Sequence, residues 1–261
     1  MKICVCGKGG CGKSTIVSLL THGFRKKGKD VIVLDSDESN TSLFWMLGLD
    51  HPPVALMEMV GGKKAVQKKM IARFSSGDKE AEMSIWQMDD ITSKSIPTEF
   101  IVDKDGLKLV STGKINQSLE GCACPMGTIT REFLKKLKLS DNEIAVVDME
   151  AGIEHFGRGI EKNIDCVVCV IEPSFESISL GKKVMELTQS SGASFKGAIL
   201  NKLNSNEQKK FVLEKTQSMG IPVIGTIMFQ SEIQNACLEQ KALHDAYPEI
   251  ENIISEILLK E

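Results

Sequence analysis

The chain alternates short apolar runs with longer stretches in which apolar residues recur at helical spacing. Short apolar runs are typical of buried strands, and the longer stretches are typical of helices packed on a sheet. The predicted strands lie at 2–6, 31–35, 143–148, 165–171, 195–200 and 222–227. The predicted helices lie at 16–27, 128–138, 175–190, 206–219 and 248–260. This alternation predicts an α/β fold, with a doubly wound, mostly parallel sheet flanked by helices.

The region at about 50–120 interrupts the alternation. Its first part is helical but loosely patterned, and Pro52-Pro53 and Gly61-Gly62 break it. Two short apolar arms around Asp105-Gly106 then predict a β-hairpin, because Asp-Gly is a strong hairpin-turn signal. We therefore expect a single domain over 1–261 with a helical and hairpin insertion at about 50–120.

Composition and charge are those of an ordinary soluble globular protein. Hydrophobic residues make up 42% and charged residues 26% of the chain, and the formal net charge is -3. This balance favours neither nucleic acid nor a membrane as a partner. The N-terminus enters a predicted strand directly, and no apolar run approaches ~20 residues, so we expect a cytoplasmic protein. The eight cysteines are then expected to pack in the core or to bind metal rather than to form disulfides.

A glycine-rich segment, GKGGCGKST, joins the first predicted strand to the first predicted helix. Such a P-loop lets backbone N–H groups surround a phosphate, and the new helix adds its positive N-terminal end. In this pattern Lys13 is expected to reach the β- and γ-phosphates of ATP, and Ser14 is expected to bind Mg²⁺. The expected nucleotide-binding residues of this segment are Gly7, Lys8, Gly9, Gly10, Cys11, Gly12, Lys13, Ser14 and Thr15.

Three acidic residues follow predicted strands whose carboxyl ends should lie beside this loop. Asp148 ends an apolar run, as a Walker B acid does, and is expected to bind Mg²⁺. Asp35 ends another run and is expected to contribute to the Mg²⁺ shell, and Asp37 follows two residues later. Because a loop rich in Asp and Ser is also a normal helix N-cap, a structural role for Asp35 and Asp37 stays open.

Cys122 and Cys124 lie one residue apart before a predicted helix, flanked by Gly121 and Pro125. A helix N-terminus lowers the pKa of a thiol and so favours the thiolate that binds metal. One chain supplies two sulfurs, whereas closed soft-metal sites usually have four ligands. A two-fold dimer supplies two from each subunit. We therefore expect a homodimer that binds metal at these cysteines, with buried structural thiols or a redox pair as the alternatives.

The lysine directly after the first glycine makes the loop resemble the deviant Walker A motif of the MinD and nitrogenase-iron-protein group of ATPases. The resemblance implies a nucleotide-sandwich homodimer in which Lys8 crosses the interface to the phosphates of the partner subunit. A second cation of this kind stabilises charge that develops during phosphoryl transfer. The resemblance also implies that Asp37 orients the attacking water. The catalytic residues are then Lys8, Lys13 and Asp37, and the adenine contacts are Asn201, Lys202 and Gln230.

The P-loop, Asp37, the element at 121–125 and the run at 148–159 together resemble the CooC family of nickel-insertion ATPases. The resemblance implies that ATP hydrolysis is coupled to dimerisation, with ATP/ADP and Mg²⁺ as cofactors. It also implies that Ni²⁺ or Zn²⁺ is held by Cys122 and Cys124 of both chains, and that carbon monoxide dehydrogenase or acetyl-CoA synthase is the client. Cys11 departs from the small aliphatic residue more common in that family.

Two other classes of protein stay open. The first is an ATP-dependent electron donor with an Fe–S cluster, like the nitrogenase iron protein, although there the two cysteines of each subunit are far apart in sequence. The second is a positioning switch of the MinD or ParA kind. A lipid-binding switch needs a basic amphipathic tail, whereas the charges near this C-terminus are mostly acidic.

Overall fold

The computed structural model describes residues 1–76, 85–86, 88–114, 124–153, 156, 159–243 and 247–259. Within these ranges the strands are β1 (Lys2–Gly7), β2 (Asp30–Ser36), β3 (Val102–Lys104), β4 (Leu107–Ser111), β5 (Glu143–Met149), β6 (Cys166–Ile171), β7 (Ser194–Leu203) and β8 (Val223–Met228). They form one sheet in the order β3-β4-β2-β5-β1-β6-β7-β8. The β3–β4 pair is antiparallel and the other neighbouring pairs are parallel.

The helices of the same ranges are α1 (Lys13–Lys26), α2 (Leu43–Met46), α3 (Leu56–Met59), α4 (Gly62–Ser76), α5 (Cys124–Lys136), α6 (Phe175–Ser191), α7 (Asn206–Ser218), α8 (Ser231–Leu238) and α9 (Pro248–Leu258). The expected doubly wound, mostly parallel sheet flanked by helices is confirmed. The helix predicted at 128–138 begins earlier, at Cys124. The sequence did not predict α8, which has eight residues and whose apolar positions, Ile233, Ala236 and Cys237, are only partly buried.

The sheet has a hydrophobic core on each face, because successive strand residues point to opposite sides. Cys4 and Cys6 of β1 share the core that contains side chains of α5 and α6, as their two-residue spacing predicts. Cys166 and Cys169 of β6 belong to opposite cores, because residues three apart on a strand face opposite sides of the sheet. Strands covered on both faces are apolar throughout, which explains why their sequences read as continuous apolar runs.

The hairpin predicted around Asp105-Gly106 is present as β3 and β4. Asp105 and Gly106 have φ angles of 53° and 82°, as a two-residue hairpin turn requires. The register of β4 with β2 places Ser111 beside Asp35, so the second arm ends at the same sheet edge as β2. In the described part of the chain, no helix is long and apolar enough to cross a membrane.

Candidate nucleotide-binding site

The glycine-rich loop lies at the carboxyl edge of the sheet, between β1 and α1. The parallel register places Val5 of β1 beside Asp148 of β5, and Asp148 beside Asp35 of β2. The acids that end β2 and β5 therefore lie next to the loop that follows β1. In open α/β sheets this edge is where ligands bind.

The loop has glycine where its backbone geometry demands it. Gly12 has a φ of +96°, and a Cβ there would lie 2.4 Å from Nδ2 of Asn201. Helix α1 begins at the next residue, Lys13, and no side chain of the described residues caps its first turn. N–H groups of a first helical turn lack intrahelical partners, so this end of α1 suits an anionic ligand.

A cavity of about 480 Å³ opens beside the loop. Its polar lining comprises Gly10, Gly12, Lys13, Ser14, Thr15, Asp37, Asn40, Asn201, Lys202, Gln230 and Gln234. Phe229 and Ile233 contribute an apolar wall, and Ile233 belongs to α8, the helix that the sequence did not predict. A volume in this range, with apolar walls and a few polar groups, is typical of small-molecule sites.

Two buried carboxylates, Asp35 and Asp148, lie at the inner end of the site, and Asp148 contacts Ser14. Ser14 Oγ donates a 2.5 Å hydrogen bond to Asp148 Oδ2, and Lys114 Nζ donates a 2.7 Å hydrogen bond to Asp35 Oδ2. The other oxygens, Oδ1 of Asp35 and Oδ1 of Asp148, are buried and have no hydrogen-bond partner among the described residues. Buried polar atoms without partners cost free energy, and carboxylate and hydroxyl oxygens are ligands that Mg²⁺ accepts. The residues present therefore fit a magnesium ion.

Burial also changes the acidity of these two groups. It raises the pKa of Asp148 to about 7, with a further contribution from the Asp35 carboxylate. It raises the pKa of Asp35 to about 6, although the ammonium group of Lys114 opposes the shift. Each acid resists ionisation because its charged form has lost water. Since a cation favours the ionised forms, cation binding at this site is coupled to proton release.

Asp37 lines the cavity and is itself buried. Its Oδ1 accepts hydrogen bonds from the backbone N–H of Ser39 at 3.0 Å and from Ser39 Oγ at 2.6 Å. The next helix, α2, begins at Leu43 with Ser42 as its N-cap residue, so Asp37 does not cap it. The helix-capping alternative for Asp37 is therefore wrong, and its carboxyl group is fixed at the cavity by its own loop.

Asn40 belongs to the site although sequence reasoning did not select it. Its Nδ2 donates a 2.5 Å hydrogen bond to Ser14 Oγ, and its Oδ1 accepts from the backbone N–H of Ser42 at 2.9 Å. Asn40 also lines the cavity. The only sequence signal was its place in the polar loop after β2, which it shares with several other residues.

The two lysines of the loop lie in different places. Lys13 is buried, lines the cavity, and donates from Nζ to the Lys8 carbonyl oxygen at 3.4 Å. Lys8 has a side chain that is 39% exposed, with Nζ 3.7 Å from Glu172 and 3.8 Å from Glu176. Within the described residues of a single chain, Lys8 is thus a surface residue paired with two carboxylates beside α6.

The predicted adenine-side residues are brought to the same cavity, which Asn201, Lys202 and Gln230 all line. Asn201 Nδ2 also donates to the Cys11 carbonyl oxygen at 2.9 Å, and Lys202 Nζ donates to the Gly10 carbonyl oxygen at 2.5 Å. Both residues therefore support the loop itself. Burial raises the pKa of the Cys11 thiol to about 12, so this thiol stays protonated while its backbone makes the contact.

The cysteine side chains of the predicted sulfur site lie outside the described part of the structure. Cys122 lies outside the described residues, and Cys124 is the first residue of α5 with its side chain also outside them. Among the residues that are described, no group of three or more His, Cys, Asp or Glu side chains is arranged to hold a metal ion. This does not conflict with the magnesium fit, because Mg²⁺ in nucleotide sites uses few protein ligands together with phosphate oxygens and water.

Sequence comparison places the chain among nucleotide-binding proteins. Residues 3–243 match the CbiA family model, described as the CobQ/CobB/MinD/ParA nucleotide binding domain. An uncharacterized ATP-binding protein of Methanocaldococcus jannaschii is 45% identical over 260 residues, which cover 100% of both chains. The carbon monoxide dehydrogenase accessory protein CooC of Rhodospirillum rubrum is 33% identical over 248 residues, covering 95% of this chain and 91% of CooC.

Structural comparison supports the same fold. The septum site-determining protein MinD of Pyrococcus horikoshii, solved in complex with Mg-ADP, superposes with a TM-score of 0.70. The match covers 98% of this chain and 95% of MinD at 17% sequence identity. At that identity the likeness shows a common fold and carries no argument about function.

Proposed function

Since the chain belongs to the CobQ/CobB/MinD/ParA nucleotide binding domain family and is a P-loop ATPase, we propose that its ATP hydrolysis drives delivery of nickel to carbon monoxide dehydrogenase or acetyl-CoA synthase. The observation that carries the nucleotide site is the pair of buried, unpartnered oxygens of Asp35 and Asp148, among the described residues, beside Ser14. The nickel role is supported by the 33% identity with the accessory protein CooC and by Cys122-Ala123-Cys124.

In this proposal the nucleotide occupies the cavity beside the loop. The loop N–H groups and Lys13 bind the phosphates, where the N-terminal end of α1 adds a favourable field. Asn201, Lys202 and Gln230 contact the adenosine, whose base packs on the apolar wall at Phe229. Ser14, Asp35 and Asp148 would hold Mg²⁺, which neutralises phosphate charge when bound.

Asp37 and Lys8 carry the catalytic roles in this proposal. The Ser39 hydrogen bonds hold the Asp37 carboxyl group at the cavity, where it orients the water that attacks the γ-phosphorus. Attack gives ADP and inorganic phosphate. Lys8 leaves Glu172 and Glu176 and reaches the phosphates of the partner subunit, so full charge stabilisation requires two chains.

The same two-fold dimer also forms the nickel site. Cys122 and Cys124 of each chain supply two thiolates, and two chains together supply the four sulfurs of a closed soft-metal site. ATP favours the closed dimer and hydrolysis removes the γ-phosphate contacts, which opens the dimer and separates the two pairs of sulfurs. Nickel is the cargo of this cycle rather than a resident cofactor.

The test measures nickel content and mass in solution, with and without ATP. The wild-type chain is expected to dimerise and to bind about one Ni²⁺ per two chains, because four sulfurs complete one site. The double variant Cys122→Ser, Cys124→Ser is expected to lose nickel and keep ADP binding. Cys237→Ser is the control for nickel content alone, because Cys237 is a partly exposed thiol on α8 that also lines the nucleotide cavity.

Three results count against this proposal. Nickel that persists in the double variant places the metal site elsewhere. A chain that stays monomeric under every nucleotide and metal condition contradicts the proposed dimer. A brown protein with visible absorption after anaerobic purification favours the Fe–S electron donor instead.

A further inference from the structure

Lys114 joins two parts of the site that the sequence gives no reason to connect. It follows the carboxyl end of β4, and its Nζ donates to Asp35 Oδ2 at 2.7 Å and to the Asp37 backbone carbonyl oxygen at 2.5 Å. The side chains of Lys114 and Asp35 are 17% and 6% exposed. Exposed ion pairs contribute little to stability. In this short and poorly hydrated pair, by contrast, each charge depends on its partner to replace the water that it has lost.

The charges around Asp35 give this pair a specific consequence. The negative charges of Asp37 and Asp148 also act there, whereas the nearby cations are Lys114 at Asp35 and Lys13 at Asp148. Burial disfavours an ionised Asp35, and the ammonium group of Lys114 offsets part of that penalty. A divalent cation held by Asp35 and Asp148 brings two more positive charges close to that ammonium. In a site with little water, like charges at such range repel strongly.

We propose that Lys114 is a tethered counter-cation that competes with Mg²⁺ for Asp35. It neutralises this carboxylate while no divalent cation is bound, and it gives up the carboxylate when the magnesium nucleotide arrives. The same ammonium group holds the Asp37 carbonyl oxygen, so cation exchange at Asp35 also releases the backbone of the residue proposed to orient water. Lys114 is thus a positioning residue that links magnesium binding to the Asp37 loop. This inference rests on the proposed magnesium and nucleotide site.

The experiment titrates Mn²⁺ into EDTA-treated, ADP-saturated protein and follows free Mn²⁺ by electron paramagnetic resonance at mildly alkaline pH. Lys114→Met is expected to bind Mn²⁺ about tenfold more tightly than wild type, because one competing positive charge has gone. Lys114→Gln also removes the charge but keeps an N–H donor for the Asp37 carbonyl, and it is expected to bind Mn²⁺ more tightly too. Lys114→Arg keeps the charge and is expected to stay near the wild-type affinity.

Lys108→Met is the matched control, on the strand β4 that precedes Lys114. Lys108 has a side chain that is 14% exposed and lies 3.6 Å from Asp103, so its loss removes an ion pair of β4 outside the site. Its Mn²⁺ affinity is expected to equal that of wild type. Thermal unfolding of each variant shows whether it is folded.

Two outcomes overturn the inference, and they are distinguishable. If wild type binds Mn²⁺ saturably but both neutral variants bind it equally well or more weakly, Lys114 is a plain structural anchor and the proposed function stands. If wild type shows no saturable Mn²⁺ binding with ADP, the proposed site fails and the inference fails with it.

Discussion

Asp148→Asn is expected to stabilise the ligand-free protein at alkaline pH. Asp148 has a pKa of about 7 in the folded chain against an ordinary value of 3.8. Each unit of pKa difference between the folded and unfolded chain corresponds to about 1–2 kcal/mol. The fully ionised acid therefore lowers the free energy of unfolding by on the order of 4 kcal/mol. Asn is never ionised, so the variant does not suffer this loss.

The sign of the effect depends on pH. Well below the ordinary pKa of 3.8, both the folded and the unfolded chain hold the proton, and the ionisation of Asp148 contributes nothing to the free energy of unfolding. Between the two pKa values only the unfolded chain releases it, so the free energy of unfolding falls as the pH rises. Above the folded pKa the loss is complete. The benefit of Asn therefore grows over this window.

The net stabilisation by Asp148→Asn is smaller than the full ionisation penalty of Asp148. The side-chain oxygen of Asn can accept the Ser14 hydrogen bond, but its amide N–H groups take the place of Oδ1, which has no partner in the described part of the chain. An unsatisfied buried donor costs about 1–3 kcal/mol. We expect a net gain of about 2 kcal/mol at about pH 8, or roughly 5 °C in Tm.

The assay is reversible unfolding in EDTA without nucleotide, at about pH 8 and at about pH 5. The stabilisation is expected to vanish at the lower pH, and Mg-ADP is expected to stabilise wild type more than the variant. Asp50→Asn is the control, because Asp50 is an exposed acid outside the site. An Asp148→Asn variant that is less stable than wild type at both pH values refutes the claim that burial makes this carboxylate destabilising.

Two further predictions concern the loop. Lys8→Ala is expected to bind ADP as wild type does but to remain monomeric with ATP by light scattering, since Lys8 pairs with Glu172 in the single chain and its proposed role is on the partner's phosphates. An ATP-dependent dimer would contradict this. Gly12→Ala is expected to weaken ADP binding at least tenfold by calorimetry, because its Cβ meets Asn201 at 2.4 Å and the positive φ adds about 1–3 kcal/mol of strain. Gly28→Ala has a similar φ of +78° but no described atom within 4 Å, so it should lose stability alone.

The sequence by itself determined the elements and the phosphate loop. Apolar runs predict strands wherever the core covers both sheet faces, as β1 and β5 show. The spacing of Gly7, Gly12, Lys13 and Ser14 is a local pattern, because a P-loop is built from residues that are neighbours in the chain. The carboxyl-end rule then placed Asp35 and Asp148 at the right edge before any contact was known.

Only the tertiary structure decided which polar groups meet there. Lys114 reaches Asp35 across 79 residues of sequence, and Asn40 reaches Ser14 across 26. The sequence also does not indicate which residues pair with Lys8 or that α8 forms a wall of the cavity. The physical reason is that apolar burial imposes a period on the chain, whereas a lone charged or amide side chain on a loop carries none. The partner of such a side chain is determined by which loops the strand order of the sheet brings together.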